Sequence, residues 1–358
     1  MAELLALADS DAQQRWDTLR LAYTETQGLP ALREAAAAVH YSSIQPDQLV
    51  VAAPQELVLL TMQALLAPGD RVVCTVPGYQ SLYEVAASLG CQLDPWPLCS
   101  APDGSLAFRL ENAEALIGGA NPPKLVVVNS PHNPSGFQFS QEEWQRLVEL
   151  CKGAGAYLFS DEMYRWLELD PSARLPAAAD AYERGISLTG CSKATGGPGL
   201  RIGWVATRDA TLLGRILELK DYTTICNSAP SEILALIMLR NWDALVQQRL
   251  ATIRRNLDTL DAFFARWAHV FAWRRPAAGT VAFPRLTTGE PIESWCGQLV
   301  EETGVLLMPA TVYGQPECAA EGRFRLGFGR SNMPEVLGHL EAWLAKRYPA
   351  EQAAAAGS

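Results

Sequence analysis

Between Ile44 and Leu239 short apolar runs alternate with stretches of helical period, and this alternation most narrows the folds open to the chain. The runs Gln48–Ala52, Arg71–Val76, Lys124–Asn129, Ala156–Ser160 and Ile186–Thr189 predict strands; Lys124–Asn129 and Ala156–Ser160 read as buried on both faces. Strands of this kind interleaved with helices imply a mostly parallel sheet covered on both sides, an α/β large domain over 44–240. Ser228–Glu232, with Pro230 in the first turn, opens a long connecting helix expected to reach Trp267. Beyond it, short strands at Phe271–Trp273, Gly279–Phe283, Val305–Leu307 and Phe324–Phe328, with helices at Ile292–Thr303 and Pro334–Lys346, predict a smaller α/β domain within 241–350. Residues 1–43 are expected to pack with that smaller domain, and 351–358 to form a disordered, Ala-rich tail.

Ligands of open α/β sheets sit beyond the carboxyl ends of the strands, so polar residues at strand exits are candidate site residues. Lys193 follows Ile186–Thr189 within Ser192-Lys193-Ala194-Thr195-Gly196-Gly197-Pro198-Gly199-Leu200-Arg201. Its amine can form a Schiff base with an aldehyde once its surroundings lower its pKa. The glycines let backbone N–H groups approach a phosphate, and Arg201 adds a fork of charged donors. A covalently held, phosphorylated cofactor needs this combination. Asn133 lies in the turn Ser130–Gly136 after a second strand, where an amide can bond a ligand oxygen. Asp161, with Tyr164 three residues on, ends a third. Taken singly, Asp161 also reads as an N-cap and Tyr164 as a core residue.

Asn-Ser-Pro-His-Asn-Pro-Ser-Gly, Ser-Asp-Glu-Met-Tyr and Ser-Lys…Gly-Leu-Arg-Ile-Gly-Trp, in this order and spacing, resemble the class I/II aminotransferases, pyridoxal-phosphate enzymes of fold type I, from about Tyr23 to Leu340. The resemblance implies pyridoxal 5′-phosphate bound to Lys193, with Asp161 paired to its pyridinium nitrogen and Asn133 and Tyr164 on its phenolic oxygen. Tyr79 matches the aromatic that stacks on the ring. Pro54, Gln55, Ser192 and Arg201 match the phosphate cradle, although Ala53-Pro54-Gln55 replaces the family's small-residue sequence and Pro54 removes one donor. Arg325 aligns best with the arginine that forks onto the substrate α-carboxylate, beside Asn133; Arg323 is the competitor.

Tyr23, in Tyr23-Thr24-Glu25-Thr26-Gln27-Gly28, resembles the tyrosine that reaches the partner subunit's cofactor phosphate, so a homodimer is implied. Relatives carry a longer lead before this motif, part of which covers the substrate; only 22 residues precede Tyr23, which implies a trimmed chain or a more open site. Trp16–Gly28 also resembles a bacterial subgroup related to capreomycidine synthase. The implied activity is exchange of an amino group between an L-amino acid and a 2-oxo acid. A lyase or cyclase of the same fold, and a pyridoxal-phosphate-binding protein without turnover, stay open.

Composition suits such an enzyme. The 358 residues are 49% hydrophobic, enough for a large core. A net charge of −10 without a basic run argues against nucleic acid. No apolar run reaches membrane-spanning length, and the start lacks the basic region of a secretion signal. The eight cysteines show no CxxC pairing and read as reduced thiols of a cytoplasmic protein; four scattered histidines show no metal-ligand spacing, so no metal is expected.

Overall fold

The structure, a computed structural model, describes residues 2–101 and 104–349; the tail expected at 351–358 lies outside the described residues. Three helices, α1 (Ala2–Leu5), α2 (Ser10–Asp17) and α3 (Pro30–His40), lead into β1 (Leu49–Ala52) and α4 (Pro54–Leu65). β2 (Arg71–Val76), α5 (Ser81–Ser88), the hairpin β3 (Gln92–Ser100) and β4 (Leu106–Phe108), and α6 (Leu110–Ile117) follow. Next come β5 (Leu125–Asn129), α7 (Gln141–Ala154), β6 (Tyr157–Asp161), α8 (Ala178–Ala181), β7 (Gly185–Gly190), β8 (Gly203–Thr207) and α9 (Ala210–Lys220). The eight strands form one sheet in the order β1-β8-β7-β6-β5-β2-β3-β4.

From β7 to β3 the sheet is parallel, and its strands feed both faces alternately. Leu125, Val127 and Phe159 pack with Leu57, Leu60 and Ile216 of α4 and α9 on one side. Val126, Val128 and Leu158 pack with Ile117, Trp144 and Leu147 of α6 and α7 on the other. This is why the runs look apolar at every position rather than at every second one. β8 runs antiparallel between β1 and β7. Its connection from β7, Cys191–Ile202, contains only a short 3-10 turn, and a parallel return needs a crossover helix. Gly190 and Gly203 face each other where these strands meet: a Cβ on Gly190 falls 2.6 Å from the Gly203 Cα, so neither position admits a side chain.

The remaining elements are α10 (Ala229–Arg240), α11 (Trp242–Arg266), β9 (Phe271–Ala272), β10 (Val281–Ala282), β11 (Arg285–Leu286), α12 (Ile292–Thr303), β12 (Met308–Pro309), α13 (Pro316–Ala320), β13 (Phe324–Gly327) and α14 (Met333–Arg347). They form a three-stranded sheet, β10-β13-β12, and a two-stranded one, β11-β9, with α12 and α14 packed together.

Several expectations are corrected. The connecting helix is two helices, broken at Asn241, whose amide donates to the Leu7 and Ile237 carbonyls. No strand forms at Val305–Leu307; the pairing begins at Met308, opposite Arg325. Residues 1–43 rest mainly on α10 rather than on the smaller sheets: Ala12 packs on Ile233, Leu234 and Ile237, and Asp9 and Asp11 pair with Arg240. The physical reason lies in α10, which is apolar nearly all round and so offers a second face to cover.

Phe159 is fully buried between β6 and the α4/α9 layer. Phe159→Ala is expected to cost about 3–5 kcal/mol, read as a lowered urea midpoint with an unchanged slope.

Candidate active site

Register alone gathers the first three candidates. Asn129 pairs with Asp161, and Asp161 with Leu188, so the carboxyl ends of β5, β6 and β7 finish side by side. Asn129 locks the arrangement: its Nδ2 donates to the Asp161 carbonyl at 2.9 Å, and its Oδ1 accepts the Asn133 N–H at 2.6 Å. The loop carrying Asn133 is thereby fixed over the strand that carries Asp161.

A cavity of about 330 Å³ opens above these ends. Pro54, Gln55, Tyr79, Asn133, Asp161, Tyr164, Ser192, Lys193, Arg201 and Arg325 all line it. Tyr23 does not; it lies on the surface, 86% exposed. Arg323 also lies elsewhere, its donors taken by Glu321, the Phe283 carbonyl and Ser100. Arg325 instead donates to the Asn133 Oδ1 at 3.1 Å, which places guanidinium and amide together at the mouth of the cavity.

Each side chain has a local reason for its position. Pro54 begins α4, where its missing N–H is one of the donors a helix start leaves free, and its ring packs on Gly203. Gln55 accepts a 2.9 Å hydrogen bond from the Tyr79 hydroxyl, so its carbonyl end holds the aromatic ring in place. Arg201 adopts a left-handed conformation, φ 58°, uncommon for a residue with a side chain, and donates to the Pro198 carbonyl.

The charges are arranged for a bound, protonated ring. Burial pushes the Asp161 carboxyl up to about 7, Glu162 adds to the rise, and the Met163 N–H and Lys193 oppose it. A buried acid with so little compensation is stabilised by a cation placed against it. Lys193 is shifted down, first by desolvation and then by Arg325 and Arg201, with Asp161 acting against them. Burial likewise pushes the Tyr164 hydroxyl up to about 12. The Ser192 hydroxyl is buried without a partner beside Lys193 and Arg201. The residues present fit pyridoxal 5′-phosphate: Ser192, Arg201 and the start of α4 suit the phosphate, Asp161 the ring nitrogen, Asn133 and Tyr164 the phenolic oxygen, and Lys193 the aldehyde carbon.

Two further residues build the site, Asn129 and His132, the histidine beside Asn133. Asn129 had a legible signal, an amide ending an otherwise apolar strand. His132 had none. It is buried, with Nδ1 2.7 Å from the Ser135 hydroxyl and Nε2 2.9 Å from the Pro77 carbonyl. Because a carbonyl only accepts, Nε2 carries the proton. Burial holds the ring's pKa down to about 3, so the imidazole is a neutral strut between the loops of Tyr79 and Asn133.

Known proteins agree with this geometry. Residues 6–340 match the model of the family described as aminotransferase class I and II. A capreomycidine synthase of Streptomyces vinaceus is 34% identical over 274 residues, covering 76% of this chain and 67% of that protein. A probable N-succinyldiaminopimelate aminotransferase of Mycobacterium tuberculosis is 28% identical over 304 residues, covering 82% of this chain and 75% of the relative. Among solved structures, a PLP-dependent aminotransferase from Streptococcus suis superposes with a TM-score of 0.86 at 28% identity, covering 96% of this chain and 90% of that one. With its sheet, its lysine loop and a family match over nearly its full length, this chain belongs to the class I and II aminotransferases.

Proposed function

We propose that the protein moves an amino group between an L-amino acid and a 2-oxo acid, with pyridoxal 5′-phosphate held at Lys193. The observation that carries this reading is the shared cavity of Lys193, Asp161 and Arg325: an amine shifted toward its neutral form, a buried acid lacking a cation, and a guanidinium beside an amide. When bound, pyridoxal 5′-phosphate supplies the electron sink that stabilises negative charge at the substrate Cα. Asp161 keeps the ring nitrogen protonated. Lys193 would hold the cofactor through its amine and, once free of it, would carry the proton between the substrate Cα and the cofactor's C4′. Arg325 and Asn133 hold the α-carboxylate and so orient the Cα–H bond.

A homodimer with Tyr23 on the partner's cofactor phosphate is part of the same reading. Leu21, Tyr23, Tyr222 and Ile225 are exposed, and Thr24 and Thr26 tie the Tyr23 segment to Asn227 and Asp221, which gathers these apolar side chains on one surface. All eight cysteines are free, which suits a reducing cytoplasm. The 34% identity with a capreomycidine synthase favours a cyclase as the second reading. Mass spectrometry of the products separates the two: a 2-oxo acid supports transfer, whereas a ring-closed amino acid that keeps its nitrogen supports the cyclase.

Borohydride reduction of the yellow holoenzyme followed by peptide mapping is expected to find the cofactor on Lys193, and Lys193→Ala to lose the visible absorbance. A label on another lysine overturns the assignment. Asp161→Asn is expected to retain the cofactor while kcat falls by about two to three orders of magnitude, because the site keeps its shape but loses its charge. Near-normal turnover contradicts that role. Arg325→Ala is expected to lower kcat/KM for every amino donor by about one and a half to three decades, and Arg325→Lys to restore only part of it. A larger loss in Arg323→Ala shows that the carboxylate lies elsewhere.

A further inference from the structure

Strand alternation turns Ser160 and Glu162, the neighbours of Asp161, away from the Lys193 cavity and toward the layer of α7. There they line a second, much smaller cavity together with Ser130 and Gln138 of the Asn133 loop and Trp144 of α7. About 10 Å³ of it is open to the centre of a water-sized sphere, which is room for about one water molecule and for no substrate.

Five buried polar atoms on this lining have no hydrogen-bond partner among the described residues: the Ser130 and Ser160 hydroxyls, Gln138 Oε1, Trp144 Nε1 and Glu162 Oε2. The other charged groups of the lining are occupied. Glu168 accepts from the Trp166 N–H and from Arg174, and Arg165 donates to the Leu175 and His40 carbonyls. The far ends of two of the unpaired side chains are also occupied. Gln138 Nε2 donates to the Ala173 carbonyl at 3.2 Å, and Glu162 Oε1 accepts from the Ala178 N–H at 2.8 Å and from the Ser187 hydroxyl at 2.7 Å. Turning either side chain to relieve its free oxygen breaks these bonds, and a buried oxygen left unpaired is costly.

We propose that one ordered water fills this cavity and ties Ser130 and Gln138, at the two ends of the Asn133 loop, to Ser160 and Glu162, which flank Asp161. An indole N–H only donates, an amide oxygen and a carboxylate oxygen only accept, and each hydroxyl does either. Water matches this set: it accepts from Trp144 and from one serine, and it donates to Gln138 and Glu162. A cation does not match, because Trp144 turns a proton toward it and Arg165 adds a positive charge. The water thus holds from the α7 side the same loop and strand end that Asn129 joins. The site stands independently of which reaction the Lys193 cavity carries out.

A high-resolution crystal structure of the holoenzyme tests the assignment directly. One isolated density peak is expected in the cavity, about 2.7–3.2 Å from Ser130 Oγ or Gln138 Oε1 and equally close to Ser160 Oγ or Glu162 Oε2. A cavity without a peak overturns the proposal, as do side chains turned so that the five atoms pair directly. So does a peak with oxygen contacts of about 2.3–2.5 Å, which marks a cation, or one that touches only the loop or only the strand end. The double variant Gln138→Leu, Trp144→Phe removes one acceptor and the one obligate donor. It is expected to lose the peak and to exchange the His132, Asn133 and Gly136 amide protons, which are bonded within the loop and to Asn129, about tenfold or more faster, with those of β2 unchanged. A peak retained in the variant shows that these groups do not hold the water, and its loss without faster exchange shows that the water does not hold the loop; either result overturns the tie. Where the variant does not fold, the structure of the unmodified holoenzyme decides by itself.

Discussion

The hydrogen bond from the Asn129 side chain to the Asp161 carbonyl joins the frame of the molecule to its chemistry. It spans the ends of β5 and β6, where the Asp161 carbonyl also accepts the Ser130 N–H at 3.0 Å. The same amide accepts the Asn133 N–H, so one side chain fixes both Asp161 and Asn133. His132 extends the tie to the loop of Tyr79 through the Pro77 carbonyl. The positions needed for the chemistry are thus set before any ligand arrives, which spares the cost of ordering them during binding.

Burial then gives these groups their reactivity. The same desolvation moves Asp161 up and Lys193 down, because each charged form loses water on entering the cavity. Their mutual attraction opposes both shifts. Arg325 acts on Lys193 in the direction of burial, so the guanidinium that suits a carboxylate also helps to keep the amine reactive. A neutral amine is the nucleophile that an aldehyde requires, and a buried acid awaiting a cation suits a protonated ring nitrogen.

Antiparallel β8 serves the site as much as the sheet. By returning beside β7, it holds the ends of the Lys193 loop at Gly190 and Gly203, with Pro54 of α4 packed on Gly203. The lysine loop, the arginine and the start of α4 therefore meet at one corner. The smaller module closes the other side with Arg325 of β13. Sheets of two and three short strands suffice for this, because Phe271 meets Trp295 and Phe324 edge to face beneath them, and Trp295 and Phe324 lie tilted against each other.

The apolar runs by themselves determined the central strands, since a strand buried on both faces must be apolar throughout; Lys124–Asn129 differs from the observed element by one residue at its start, and Ala156–Ser160 by one residue at each end. The same runs pointed to Asn133, Asp161 and Lys193, because in a parallel sheet a polar residue at a strand exit can face only the ligand side. Strand direction was not legible at β8, where the deciding facts are a connection without a crossover helix and the close contact of Gly190 with Gly203. Nor was the break at Asn241, which depends on a carbonyl of Leu7 that only the folded chain brings near. Alternation left Arg323 and Arg325 equivalent; they separated once Glu321, Phe283 and Ser100 took the donors of one and Asn133 met the other.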